Sequence, residues 1–166
     1  MNIIGLIRRF DFRQLFTIAG LVIQKPLYII PTLLATKRTI HICNSVYGDE
    51  HHLHGRANAF RHALWNILIC KEVFKISSNE TKSVLWAKKI TDLHEKLAPN
   101  EALEKAMDLH NNELGRIYFE KLTIASEKEV IAFLQKQAGM AVIIDNLEQI
   151  ALFRDSMVYI SEIKSS

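Results

Sequence analysis

Apolar residues recur every three to four positions along most of the chain, and the pattern breaks where helix punctuation falls. That spacing predicts helices over 11–24, 31–46, 56–74, 80–97, 100–120 and 127–138. Pro31 suits a first helical turn, Pro99 separates the fourth helix from the fifth, and Ser126 with Glu129 reads as a capping box for the sixth. Short apolar runs at 141–144 and 157–160 fit helix or strand, and we assign them to helix. The stretch Gly48 to Gly55 reads as a polar loop in which His51, His52 and His54 are exposed rather than ligands. The expected architecture is all-α, a single globular domain of about six or more helices packed around a buried central helix.

The third helix is that central element. It is apolar almost all round, through Ala57, Ala59, Phe60, Ala63, Leu64, Ile67, Leu68 and Ile69. Within it Asn58, Arg61, His62, Trp65 and Asn66 fall at helical offsets and share one face. Amide, guanidinium and imidazole groups are thereby carried into an interior, where each needs a partner.

Two later segments offer partners. On the fourth helix Trp86, Ile90, Leu93 and Leu97 form the expected buried stripe, which puts His94 at its border and Glu95 nearly opposite Trp86. His94 is then the interior candidate, and Glu95 reads as a solvated carboxylate. On the fifth helix Asp108, Asn111, Asn112 and Gly115 share one flank, with His110 on the other. Gly115 would let another backbone or a ligand come close. Adjacent asparagines are poor helix formers, so something outside the helix should compensate Asn111 and Asn112. Trp65, Trp86 and Met107 read as core residues.

Composition narrows the class. The chain has 166 residues, half of them hydrophobic, with three prolines and six glycines, which excludes disordered and solenoid readings. Cys43 and Cys70 are too few and too isolated for a disulfide framework. Residues 1–38 hold six basic side chains against Asp11 alone, so this apolar segment could approach an anionic membrane surface. A core helix with a solvated basic face is the favoured reading. The apolar stretch 15–35 is interrupted by Gln24-Lys25-Pro26, so neither half spans a bilayer, and no signal-peptide cleavage pattern stands out. The expected location is cytoplasmic or membrane-peripheral. Basic residues of the main body are matched by acids and no groove-reading motif is present, which argues against nucleic acid as a partner.

The polar inventory supports two mechanisms. In one, imidazole and carboxylate from among His62, His94 and Asp108 hold a divalent metal that activates water, while Arg61 holds an anionic small-molecule or lipid substrate such as a phosphoester. In the other no metal is needed: a histidine is the general base, Asp108 orients it, and asparagines with Arg61 stabilise an oxyanion. The absence of an HExxH pattern slightly favours the second. A third reading is a purely structural hydrogen-bonded network pinning three helices, with function in the basic amino-terminal helices of a binding or membrane-associated module.

The order N-A-F-R-H-A-L-W-N, A-K-K-I-T-D-L-H-E and M-D-L-H-N-N-E-L-G-R resembles an uncharacterised bacterial helical domain family. Such domains also occur at the carboxy-terminal ends of large polymorphic-toxin-like proteins. The resemblance covers about 56–117. It implies a site without naming a reaction: His62, His94, Glu95 and Asp108 as catalytic candidates, and Asn58, Arg61, Asn66, Asn111, Asn112 and Arg116 as substrate contacts. It also lifts Glu95 above its place on the helical wheel.

Overall fold

A computed structural model describes residues 20, 23–98 and 100–161. Six α-helices occur among them: α1 Pro26–Tyr47, α2 Arg56–Ser77, α3 Glu80–Leu97, α4 Ala102–Leu122, α5 Glu127–Gly139 and α6 Leu147–Leu152. Two short strands, β1 Val142–Ile143 and β2 Val158–Tyr159, pair in parallel. The fold is all-α, and α2 is its axis: α1, α3, α4 and α5 all pack against it. Phe60, Leu64, Ile67, Ile69 and Val73 of α2 are fully buried, as an all-round apolar helix requires.

Local chemistry fixes the ends. Asn79 caps α3 by accepting from the Lys82 N–H, and Ser126 with Glu129 forms the expected capping box at α5. Lys71 of α2 donates its ammonium to the carbonyls of Leu122, Thr123 and Ala125, closing the end of α4. Gly115 marks a close crossing of α4 over α2. A Cβ there would lie 2.5 Å from the Ala63 carbonyl oxygen, so the glycine lets α4 press directly on the α2 backbone.

Three expectations change. The second helix starts at Pro26, which takes the first-turn position, and Pro31 lies inside it. The predicted helix 11–24 lies almost wholly outside the described residues. The stretch after α1 is a 3-10 turn, Gly48–His52, that carries His51 into the core with Nε2 2.6 Å from Asn44 Oδ1. Burial and the neighbouring His52 push the His51 imidazole down to about 4. The runs at 141–144 and 157–160 are the two strands rather than helix. The edge of β2 that faces away from β1 is completed by Asn111, whose amide nitrogen donates to Val158 O (2.8 Å) and whose amide oxygen accepts from Val158 N (3.1 Å). A side chain here does the work of a third strand. No helix among the described residues is long and apolar enough to cross a membrane.

Candidate functional site

The polar stripe of α2 meets α3 and α4 at a buried centre built around His62. Asp108 of α4 brings Oδ1 to 3.2 Å from His62 Nε2, and Glu95 of α3 brings Oε1 to 3.5 Å from His62 Nδ1. All three side chains are buried, and one ligand atom from each falls within 4.8 Å of the others. Their surroundings fix the orientation. Asn112 accepts from His62 Nδ1 (3.2 Å) and from Asn66 Nδ2 (2.7 Å), while its own amide donates to Glu95 Oε1 (3.0 Å). Asn66 Oδ1 accepts in turn from Arg116 Nη1 (3.0 Å) and the Thr91 hydroxyl (3.3 Å).

This wire sets the histidine tautomer. An amide oxygen opposite Nδ1 requires the proton there, leaving the Nε2 lone pair to accept from Arg61 Nη2 at 3.0 Å. Burial first, then the charges of Arg61 and His94, holds His62 well below the usual imidazole range, so it is neutral at pH 7. Burial also raises the Glu95 carboxyl, against the Asn112 hydrogen bond and the Arg61 charge. Asp108 is pushed up to about 8 by burial and by Glu95, although Asn100 donates to its Oδ2.

Two carboxylate oxygens are left over. Glu95 Oε2 and Asp108 Oδ1 are buried with no hydrogen-bond partner. Acceptor oxygens in that condition are costly, about 1–3 kcal/mol each or more for charged groups. A divalent cation held by His62, Glu95 and Asp108 would satisfy both, and this mix of oxygen and imidazole donors suits zinc or manganese.

A cleft of about 210 Å³ reaches this centre, lined by Thr36, Thr39 and Ile40 of α1, Arg61, His62 and Trp65 of α2, and His94 of α3. Trp65 is held upright there by donating to the Thr36 hydroxyl (2.8 Å), and its ring meets His94 edge-on at 5.1 Å. Partial burial and the Arg61 charge lower the His94 imidazole, so it too is neutral at pH 7. Arg61 and His62 therefore link a solvent-reachable opening to the buried carboxylates.

The structure exchanges the expected places of His94 and Glu95. The buried face of α3 runs through Ser83, Ala87, Thr91 and Glu95, with Trp86 buried beside it as expected, while Ile90 and Leu93 are only half-buried and His94 is exposed at the cleft rim. Small polar residues carry the close contact with α2, which rotates the helix away from the phase its large apolar residues suggest. Asn112, Asn66, Arg61 and Asp108 converge on His62, and Arg116 joins through Asn66. Asn111 does not join, being committed to Val158. Asn58 donates to Leu53 O at 2.7 Å, one helical turn before His62. Thr91, Asn100, Thr36, Thr39 and Ile40 belong to the site and were not foreseen. Threonines on an apolar helix such as α1 carry no distinctive spacing, and only contact identifies them.

A family model described as a domain of unknown function, DUF6973, matches residues 19–142. The chain belongs to that family. No curated protein and no solved structure matches it. The DUF6973 match extends beyond the motif-bearing 56–117 on both sides, taking in all of α1 and α5. The cleft wall supplied by α1 is thus part of the family domain. The Asn111 clamp on Val158 joins the domain to a segment beyond the matched range.

Proposed function

We propose that this domain is a divalent-cation-dependent hydrolase acting on an anionic ester, with phosphoesters the best-fitting class. The observation that carries the reading is the pair of buried, unpartnered carboxylate oxygens of Glu95 and Asp108 converging on His62 beside an open cleft. His62, Glu95 and Asp108 would hold the cation, and the chemistry it would supply there is the acidification of water for attack on the ester. Arg61 leaves His62 Nε2 to clamp the substrate anion, a role its planar fork suits. His94, neutral on the rim, accepts the proton of the attacking water and returns it to the leaving alcohol. Asn66, Asn112, Thr91 and Arg116 position the metal-holding groups.

A second reading treats the cluster as a scaffold, and one observation favours it: the Arg61 guanidinium already occupies the His62 lone pair a metal would need. The two are separated by metal analysis of the purified protein together with turnover of phosphoester, carboxyl-ester and amide substrates. The hydrolase binds one divalent ion per chain and loses about a hundredfold or more of its turnover on His94→Ala and all of it on Asp108→Asn. A scaffold retains no ion and cleaves nothing. The resemblance to toxin-borne domains supports a cellular target, and growth arrest on expression, relieved by Asp108→Asn, is the corresponding test.

A further inference from the structure

The outer face of α1 leads from open solvent to the mouth of this cleft. Leu27, Ile30, Leu33 and Leu34 are 72%, 68%, 61% and 55% exposed. Their offsets of three, four and seven place them on one side of the helix, and Ile40 lies two turns beyond Leu33 in the same row. Ile40 is also a wall of the cleft that opens on Arg61, His62 and His94. The apolar ridge and the cleft are therefore continuous.

The charged side chains of α1 itself are all basic, while Glu72 and Glu127 share a hollow with Leu34, Lys37 and Arg38 on one flank. The sequence holds no Asp or Glu from Phe12 to Gly48, whereas Lys25 and Lys37 are exposed on or beside the ridge. Lys89 of α3 stands at its amino-terminal end, donating to Gln24 Oε1. Arg38 is the exception, engaged by Glu127 in a two-point ion pair. A face that is apolar along its crest, on a helix whose own charges are all basic, matches a bilayer carrying anionic headgroups. Two copies meeting through it would set lysine against lysine.

We propose that the outer face of α1 docks on an anionic bilayer, so that the cleft at its edge receives the phosphoester headgroup of a lipid; the second part rests on the hydrolase reading above. The helix lies on the surface, since no helix among the described residues is long and apolar enough to cross it. Leu27, Ile30 and Leu33 enter the acyl boundary, Lys25 and Lys37 meet the headgroups, and Ile40 sets the edge of the opening.

Cosedimentation of the full chain with phosphatidylcholine vesicles, with and without phosphatidylserine, tests this. Binding should require phosphatidylserine, should fall about fivefold for Lys37→Gln, and should disappear for the double variant Ile30→Asp, Leu33→Asp. Both positions are exposed, so helicity by circular dichroism should be unchanged. Leu152→Asp, an exposed apolar position on α6, should bind as the parent does. Binding that ignores phosphatidylserine, or that survives the double variant, overturns the proposal, as does a dimer in solution that the double variant dissolves. Asp108→Asn keeps the fates of the two readings apart. Vesicle binding unaltered by Asp108→Asn, with neither phospholipid nor soluble ester cleaved, sustains the docking face and ends the hydrolase reading. Cleavage of soluble phosphoesters without vesicle binding does the reverse.

Discussion

Asp108 concentrates the electrostatic tension of the site, and its titration is measurable. Its carboxyl is pushed up to about 8 in the folded chain from a starting value of 3.8. Between those values the unfolded chain has released the proton and the folded chain still holds it, so stability falls as pH rises through that interval. His62 acts oppositely. Its folded pKa lies well below 6.5, so below that pH the unfolded state takes up a proton that the native state refuses, and stability falls on acidification. The two slopes oppose each other below pH 6.5, leaving Asp108 exposed between about 6.5 and 8. Chelator-treated protein should therefore lose about 1.4 kcal/mol per pH unit across that window. Urea denaturation at several pH values measures it, and Asp108→Asn should flatten the slope. Added cation should flatten it as well, by binding the ionised carboxylate that the empty fold disfavours.

Residue-level chemistry was largely legible in the sequence, because amides, guanidinium and imidazole on an apolar helix must find partners. His62, Asn66, Asn112 and Asp108 meet as that argument requires. Glu95 was not legible from periodicity. A helical wheel weighted by large apolar residues points it at solvent, and only the family resemblance restored it.

At the level of elements, the crossing of α2 and α4 sets the distance between His62 and Asp108. Gly115 allows that crossing, since the Ala63 backbone occupies the space where a Cβ would go, with its Cα at 2.7 Å. Backbone cannot rotate aside as a side chain can, so Gly115→Ala must push the helices apart. The expected loss is about 1–3 kcal/mol, or more if α2 cannot yield, read from the denaturation midpoint. Any folded remainder should also show weaker cation binding, because Asp108 and Asn112 ride on the displaced helix. The close approach at Gly115 was visible in the sequence as a glycine amid a helical pattern. The short strands were not, since two residues of ladder are held by a side chain, Asn111, rather than by a sheet with its own hydrophobic signature.

For the molecule as a whole, the site is where α2, α3 and α4 agree, and a ligand bound there must report on the entire fold. Helix order and the central place of α2 followed from periodicity. The cleft did not, because its outer wall comes from α1, whose Thr36, Thr39 and Ile40 differ little from a solvated surface until the helices are packed. Cation binding to His62, Glu95 and Asp108 would join α2, α3 and α4, groups that the unfolded chain scatters over 46 residues of sequence. It would stabilise the native state by about 2.7 kcal/mol at a hundredfold excess over Kd, and each kcal/mol raises the midpoint of a domain this size by about 2–4 °C. Thermal unfolding of chelator-treated protein should therefore shift upward with the logarithm of manganese or zinc concentration. Glu95→Gln removes one charged ligand while keeping the Asn112 contact, so its fold should survive and its shift should shrink. Asp108→Asn should behave alike but start from a more stable apo protein above pH 6.5, because it removes a carboxyl that the interior keeps neutral. That opposite pairing, higher basal stability with lost cation response, is a signature of residues retained for binding at the expense of the fold. A scaffold predicts the contrary: no response to cations in the parent chain at any pH.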